Sequence, residues 1–287
     1  MLLRVAIGAS SLTSRSGAVT RCMSTECEPI RRVLVVGAGL MGSGIAQVSV
    51  HNGYETFIVD RDQAFVDKGV DRMEKSLARV LKKEMAGADQ AAVEAKLAKT
   101  MSLLKRGTDP VEAGVFFRNR FPLSLLFLTF FSKVKSMSGK GCDLVIEAIP
   151  EKLNLKQDLF TALDKAAPRH TIFASNTSSL RIADIFSVLS EPRKPQQIGY
   201  HAFNPPAVMK LVEVIRAPAT SEETYRRVFA YAKSVRVPIT CKDTDGFVVN
   251  RLLVPYMLEA VRMLERGDAS AEDIDTGLFP FSFSFFI

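Results

Sequence analysis

Metal-ligand spacing is missing from this sequence. Its four cysteines, Cys22, Cys27, Cys142 and Cys241, follow no ligand pattern, and only three histidines accompany them. The expectation is therefore no metal site, with the cysteines as reduced thiols in a reducing compartment. Acidic residues are absent from two stretches. Residues 1–23 hold Arg4, Arg15 and Arg21, and residues 115–136 hold Arg118, Arg120, Lys133 and Lys135, with no Asp or Glu in either. These seven cations account for the whole formal charge of +7, so the rest of the chain is balanced. A nucleic-acid surface is not expected from a balanced body. A membrane-length apolar run is missing too. Phe121 to Phe131 is apolar but only about half of a span, and Pro122 interrupts a helix there, so no integral membrane span is expected. A surface anchor flanked by the four cations is the weaker alternative, because one short apolar run binds weakly.

What is present begins with the acid-free leader. Arg, Ser, Thr and small apolar residues up to about Met23, with no acid before Glu26, resemble a mitochondrial presequence, and the matrix is the expected location. The 287 residues allow one large α/β domain and part of a second. The body opens with the apolar run Arg32–Val36, the turn Gly37-Ala-Gly-Leu-Met-Gly42 and a helical stretch from Ser43 to His51. A second strand, Thr56 to Asp60, ends in an acid. Strand, glycine turn, helix and acid-ended strand form the setting a dinucleotide fingerprint requires. Gly37 is read for the tight turn, Gly39 for close approach of a pyrophosphate, Gly42 for helix packing and Asp60 for ribose hydroxyls. Asp60 would repel a 2′-phosphate, which favours NAD over NADP, although Arg61 stands beside it.

Residues 62–105 read as two or so long helices. Further strands are expected at 143–149, 171–175, 198–203, 211–215 and 237–240, with helices at about 152–166, 180–189 and 221–234. The alternation implies an α/β fold, a Rossmann-type doubly wound and mainly parallel sheet, followed by the start of an all-α domain. Ser175, Asn176, Ser178, His201 and Asn204 fall at or just beyond strand ends, where such folds bind ligands.

Glu213 is a lone acid inside the apolar run Leu211–Ile215. Burying it unpaired would cost several kcal/mol, so it is expected to face a polar cleft or a cation, and an imidazolium on His201 would suit it. A strand-edge Glu facing water is the plain alternative. His51 and His170 read as capping or surface residues. From Gly246 a long apolar helix runs to a glycine stop at Gly267, and Asp268-Ala-Ser-Ala-Glu-Asp273 starts another helix. Eleven of the nineteen phenylalanines crowd into 116–131 and 279–286, and both stretches read as foreign to the fold.

Together, Gly37-Ala-Gly-Leu-Met-Gly-Ser-Gly-Ile-Ala-Gln47, Glu147-Ala-Ile-Pro-Glu151, Ala174-Ser-Asn-Thr-Ser-Ser-Leu180, His201-Ala-Phe-Asn-Pro205, Met209-Lys-Leu-Val-Glu-Val-Ile215 and Asn250-Arg-Leu-Leu-Val-Pro255 resemble the L-3-hydroxyacyl-CoA dehydrogenase family, the short-chain mitochondrial type in particular. The resemblance implies NAD-dependent oxidation of an acyl-CoA substrate in fatty-acid β-oxidation. It implies His201 as general base, Glu213 as its orienting carboxylate, and Ser178 and Asn250 on the substrate. By the same matching, Gly37, Ala38, Gly39, Leu40, Met41, Gly42, Asp60, Glu151, Lys156, Ser178 and Asn204 contact NAD, and Ser76 and Lys83 contact CoA. A homodimer is the assembly it implies. Domains are expected at 1–27 (targeting segment), 28–242 (NAD-binding, with an atypical insertion at about 114–138) and 243–287 (a truncated helical domain). Ala202 stands where the family usually has an aromatic residue, and Asp245 where it usually has proline. An NAD-binding chain without turnover and a lambda-crystallin-like hydroxy acid dehydrogenase are the alternatives.

Overall fold

The computed structural model describes residues 28–108 and 142–285. The leader, the 114–138 insertion and the first phenylalanine-rich stretch lie outside the described residues, as do Cys22 and Cys27.

The glycine turn opens the sheet. Strand β1 (Arg32–Val36) runs into it, helix α1 (Leu40–His51) leaves it, and β2 (Glu55–Asp60) returns parallel to β1. Helix α2 (Gln63–Glu84) follows, capped by Asp62, whose side chain accepts the Ala64 N–H at 2.8 Å. Its apolar stripe of Val66, Val70, Met73, Leu77 and Leu81 keeps the three- and four-residue spacing that turns one face inward. Asp89 caps α3 (Gln90–Met101) in the same manner.

The chain then makes a strand that begins at the end of the 62–105 stretch read as helical. Leu104–Thr108 is β3, parallel to β2 at the edge of the sheet. Leu-Lys-Arg-Gly-Thr carries little strand propensity of its own; pairing with β2 fixes it, and Lys105 and Arg106 keep the edge polar. Gly107 gives the Phe57 ring room, because a Cβ there would meet the ring tip at 2.9 Å and push it aside.

After residue 142 come β4 (Leu144–Glu147), α4 (Leu153–Ala166), β5 (Ile172–Ser175) and the single turn α5 (Ile182–Ile185). The expected 180–189 helix is thus shorter, and 3-10 turns at Phe186–Val188 and Glu191–Gln196 complete the connection. Then follow β6 (Gln197–Ala202), β7 (Leu211–Arg216), α6 (Glu222–Val235) and β8 (Val237–Lys242). The eight strands lie in the order β3-β2-β1-β4-β5-β6-β7-β8, all parallel except the antiparallel β6–β7 pair. The chain runs outward from β1 on one side and from β4 on the other, so the switch point falls between them, directly at the glycine turn. Apolar clusters fill both faces of the sheet, one around Val35, Ile146 and Val214 and the other around Leu34, Val145 and Phe173.

Helix α7 (Val249–Arg266) ends at Gly267, whose φ of +71° is the left-handed cap expected of a glycine stop. Its apolar residues stay exposed, Leu252 at 69% and Met257 at 55%. Helix α8 (Ala271–Phe285) packs along it and is capped by Ser270, which accepts the Asp273 N–H at 3.1 Å. Among the described residues no helix is long and apolar enough to cross a membrane.

Candidate active site

The switch point leaves room for a ligand on one side and none on the other. Gly37 has φ +108°, and a Cβ there would lie 2.5 Å from the Ala148 carbonyl oxygen, so the end of β4 closes against the turn. A Cβ on Gly42 would lie 1.8 Å from the Gly37 oxygen. At Gly39, by contrast, a Cβ meets nothing within 4 Å. That open side lies over the N-terminus of α1, which no side chain caps, so its first-turn N–H groups are available to an anion. A pyrophosphate fits this cradle. Gly42→Ala is accordingly expected to push α1 off the turn and to abolish NADH binding in a fluorescence titration; wild-type affinity would show that the turn does not form the nucleotide site.

Asp60 does more than the fingerprint suggests. Its Oδ2 accepts the Ala38 N–H at 2.7 Å and its Oδ1 accepts the Arg61 N–H at 2.7 Å, while the Gly37 N–H donates to the Val59 oxygen at 2.8 Å. The acid that ends β2 therefore holds the glycine turn in place and still presents its half-buried carboxylate at the site.

Beyond β4 lies a charged group in which Glu147 has no role read from sequence, whereas Lys156 and Glu151 are expected at NAD; Glu147 and Lys156 are buried and Glu151 is partly exposed. Glu147 has no exposed surface. It takes Lys156 Nζ at 2.6 Å, Ser175 Oγ at 2.6 Å and the Ile149 N–H at 2.8 Å. Burial lifts its carboxyl above the ordinary range, opposed by Lys156 and the two hydrogen bonds. Lys156 also reaches Glu151 at 3.0 Å and is itself only 1% exposed. Its ammonium is engaged by two carboxylates, which departs from the direct cofactor contact expected of it. The Glu151 carboxylate accepts the Thr177 hydroxyl, the Ser178 N–H at 2.9 Å and the Ser179 N–H at 3.3 Å, and so shapes the loop after β5. Burial would raise Glu151, but the Thr177 hydrogen bond and Lys156 outweigh it and hold the carboxyl below its usual value.

His201 and Glu213 face each other across the antiparallel β6–β7 pair, in register. His201 Nδ1 lies 2.7 Å from Glu213 Oε2. The imidazole is buried beside the Phe203 and Phe247 rings, at centroid distances of 4.4 and 5.8 Å. Glu213 does not face water; it is fully buried. Its second oxygen accepts the Val248 and Val249 N–H groups, each at 2.9 Å, at the start of α7. Three donors thus satisfy one buried carboxylate, and the N-terminal end of α7 suits its charge. With Nδ1–H donating to the Glu213 carboxylate, the lone pair is left on Nε2.

Asn250, in the first turn of α7, donates to the Ser178 carbonyl at 3.0 Å. The structure therefore brings Ser178, Glu151 and Asn250 into one hydrogen-bonded group, and His201, Glu213 and the start of α7 into another. Asn176, one of the residues expected at a strand end, accepts the Ala202 N–H at 2.9 Å and ties the end of β6 to the loop after β5. Asn204 is exposed just beyond β6. Ser76, half-buried, and Lys83, exposed, lie seven residues apart on α2 and so share one face; among the described residues neither bonds to the His201 or Ser178 groups. His51 meets Glu84 at 3.2 Å and His170 meets Asp143 at 3.7 Å, both away from this centre. Burial pushes the Cys142 thiol up to about 12, and burial with Glu213 and Asp243 does the same for Cys241, so neither is a nucleophile near neutral pH.

A nucleotide cradle at the switch point and a buried His–Glu pair define a dinucleotide-dependent dehydrogenase of the doubly wound class. The family model for the 3-hydroxyacyl-CoA dehydrogenase NAD binding domain matches residues 32–115 and 111–244, and that for the 3-hydroxyacyl-CoA dehydrogenase C-terminal domain matches 246–281. Among curated relatives, the chain is 44% identical over 250 residues to the mitochondrial hydroxyacyl-coenzyme A dehydrogenase of Rattus norvegicus, covering 87% of this chain and 71% of that protein. It is 42% identical over 268 residues to the protein of that name from Homo sapiens, covering 93% and 76%. Among solved structures, (S)-3-hydroxybutyryl-CoA dehydrogenase from Ralstonia eutropha superposes with a TM-score of 0.71 at 37% identity, covering 87% of this chain and 76% of that one. The chain belongs to the 3-hydroxyacyl-CoA dehydrogenase family.

Proposed function

We propose that this protein oxidises the C3 hydroxyl of L-3-hydroxyacyl-CoA to the ketone, with His201 as general base, and catalyses the reverse reduction. The observation that carries this reading is the 2.7 Å contact between His201 Nδ1 and Glu213, which leaves Nε2 as the ring's proton acceptor. Nε2 takes the hydroxyl proton, and the buried carboxylate stabilises the positive charge that forms on the ring. NAD, when bound, supplies the hydride acceptor. The glycine turn and the N-terminus of α1 hold its pyrophosphate, and Asp60 its ribose hydroxyls, with Glu151 and Asn204 as further contacts. Lys156 acts by holding Glu151. Ser178 and Asn250 orient the substrate oxygens, and Ser76 and Lys83 meet the CoA portion. The acid-free, Arg- and Ser-bearing leader and the mitochondrial names of the rat and human relatives support work in the mitochondrial matrix, within fatty-acid β-oxidation.

A relative that acts on free hydroxy acids would share the cradle and the His–Glu pair. Comparing acetoacetyl-CoA with free acetoacetate, at equal concentration and with NADH, separates the two. Oxidation of NADH with the thioester alone is expected. Equal rates with the free acid would replace the CoA reading.

A further inference from the structure

Between the loop after β5 and the segment that enters α7 there are contacts at three points. Asn250 donates to the Ser178 carbonyl. Asp243 accepts the N–H groups of Ile182 and Ala183, each at 2.8 Å, and so caps α5. Between these two, Arg181 grips Asp245 with both arms of its guanidinium, Nε to Oδ1 at 2.7 Å and Nη2 to Oδ2 at 3.3 Å.

The backbone explains why this last contact sits where it does. Directly after Asp245 the chain turns sharply: Gly246 has φ +77°, and Phe247, which is not glycine, is held at φ +50°. A left-handed phenylalanine persists only where its surroundings over-determine it. Two restraints lie downstream of the bend, the burial of Phe247 beside His201 and the capture of the Val248 and Val249 amides by Glu213. Upstream, Asp243 and the Arg181–Asp245 pair supply the opposing hold. The bend is thus fixed from both sides, and one side is an ion pair with its ends about half exposed.

We propose that Arg181 and Asp245 are positioning residues, a two-pronged latch that sets the entry to α7 against the loop after β5 and thereby fixes Ser178 and Asn250 relative to His201. This rests on the dehydrogenase reading above. The latch touches no reacting atom, so it acts on the seating of substrate more than on proton transfer. Asp184 and Asp243 also lie within electrostatic range of Arg181, and Arg251 lies within range of Asp245, so the Arg181 guanidinium shares the balancing of this acidic corner with Arg251. Exposed pairs of this kind are modest in strength and screened by salt, which sets the scale of the effect.

The test uses the full chain with Arg181→Gln, Asp245→Asn and the reversed pair Arg181→Asp/Asp245→Arg, assayed with acetoacetyl-CoA and NADH at low and high NaCl. Each single variant is expected to raise KM for acetoacetyl-CoA by about two- to fivefold with kcat changed less. The wild-type KM is expected to climb toward the variants' value as salt rises, while theirs stays flat. The reversed pair is expected to recover part of the loss. Unchanged melting temperatures would exclude a general loss of structure as the cause. Wild-type KM and wild-type salt response in the single variants, or a reversed pair no better than either single, would overturn the latch. Failure of the wild-type protein to turn over acetoacetyl-CoA at any salt concentration would instead overturn the dehydrogenase reading. Amide exchange at Phe247–Asn250, faster in the variants than in the wild type, then still reports on the latch.

Discussion

His201→Gln is expected to abolish turnover of acetoacetyl-CoA, lowering kcat by about 10²- to 10⁴-fold, while leaving NADH affinity nearly unchanged. Glutamine occupies a similar volume and can keep a hydrogen bond to Glu213, but its amide cannot take a proton at neutral pH. The proposed nucleotide site draws on the turn between β1 and α1, the end of β2, the loop after β4 and Asn204 just beyond β6. None of these uses the imidazole. Steady-state kinetics paired with an NADH fluorescence titration separate the two effects. A variant with normal kcat would remove His201 from the reaction. A variant that lost NADH binding as well would mean that the ring supports the fold of the whole site.

Glu213→Gln should injure two things together. The native carboxylate presents two acceptor oxygens, one to His201 and one to the Val248 and Val249 amides. A glutamine has one acceptor and one donor. Turned one way, its NH₂ opposes the imidazole N–H and the ring loses its orientation. Turned the other way, it opposes two backbone N–H groups at the start of α7. Each buried donor left unmatched costs about 1–3 kcal/mol. Loss of kcat is therefore expected together with a Tm lower by several degrees, whereas His201→Gln should leave Tm close to the wild type. Amide exchange at Val248 and Val249 should quicken in Glu213→Gln and not in His201→Gln. An unchanged Tm with both amides still protected would show that Glu213 does not anchor α7.

Much of this site could be read from the chain because its signals are local. The strand, glycine turn, helix and acid-ended strand occupy twenty-nine consecutive residues, Arg32 to Asp60, each marked by its own chemistry. The His201–Glu213 pairing follows from two apolar runs joined by a short proline-bearing turn, a separation of 12 residues. What was missed is held together across greater distance. β3 has weak intrinsic preference and becomes a strand only because β2 offers it an edge. The contact between Glu213 and α7 spans 35 and 36 residues, and nothing near Val248 advertises it except Gly246 ahead of an apolar helix.

The buried Glu147–Lys156 pair was within reach. Lys156 sits in the apolar stripe of α4, between Leu153 and Leu159–Phe160, and Glu147 is an acid at the end of the apolar Leu144–Ile146 run. The reasoning that gave Glu213 a partner applies to Glu147 without change. The Arg181–Asp245 latch is different in kind. Two exposed charges 64 residues apart leave no trace in sequence pattern, and only the fold brings them together.

The most direct measurement is the absorbance of NADH at a single wavelength after purified protein, NADH and acetoacetyl-CoA are mixed, beside the His201→Gln variant. The wild-type protein is expected to oxidise NADH in step with formation of (S)-3-hydroxybutyryl-CoA, and the variant to bind NADH without oxidising it. Tight NADH binding by the wild-type protein with no loss of absorbance would contradict the account and leave a nucleotide-binding protein in place of a dehydrogenase.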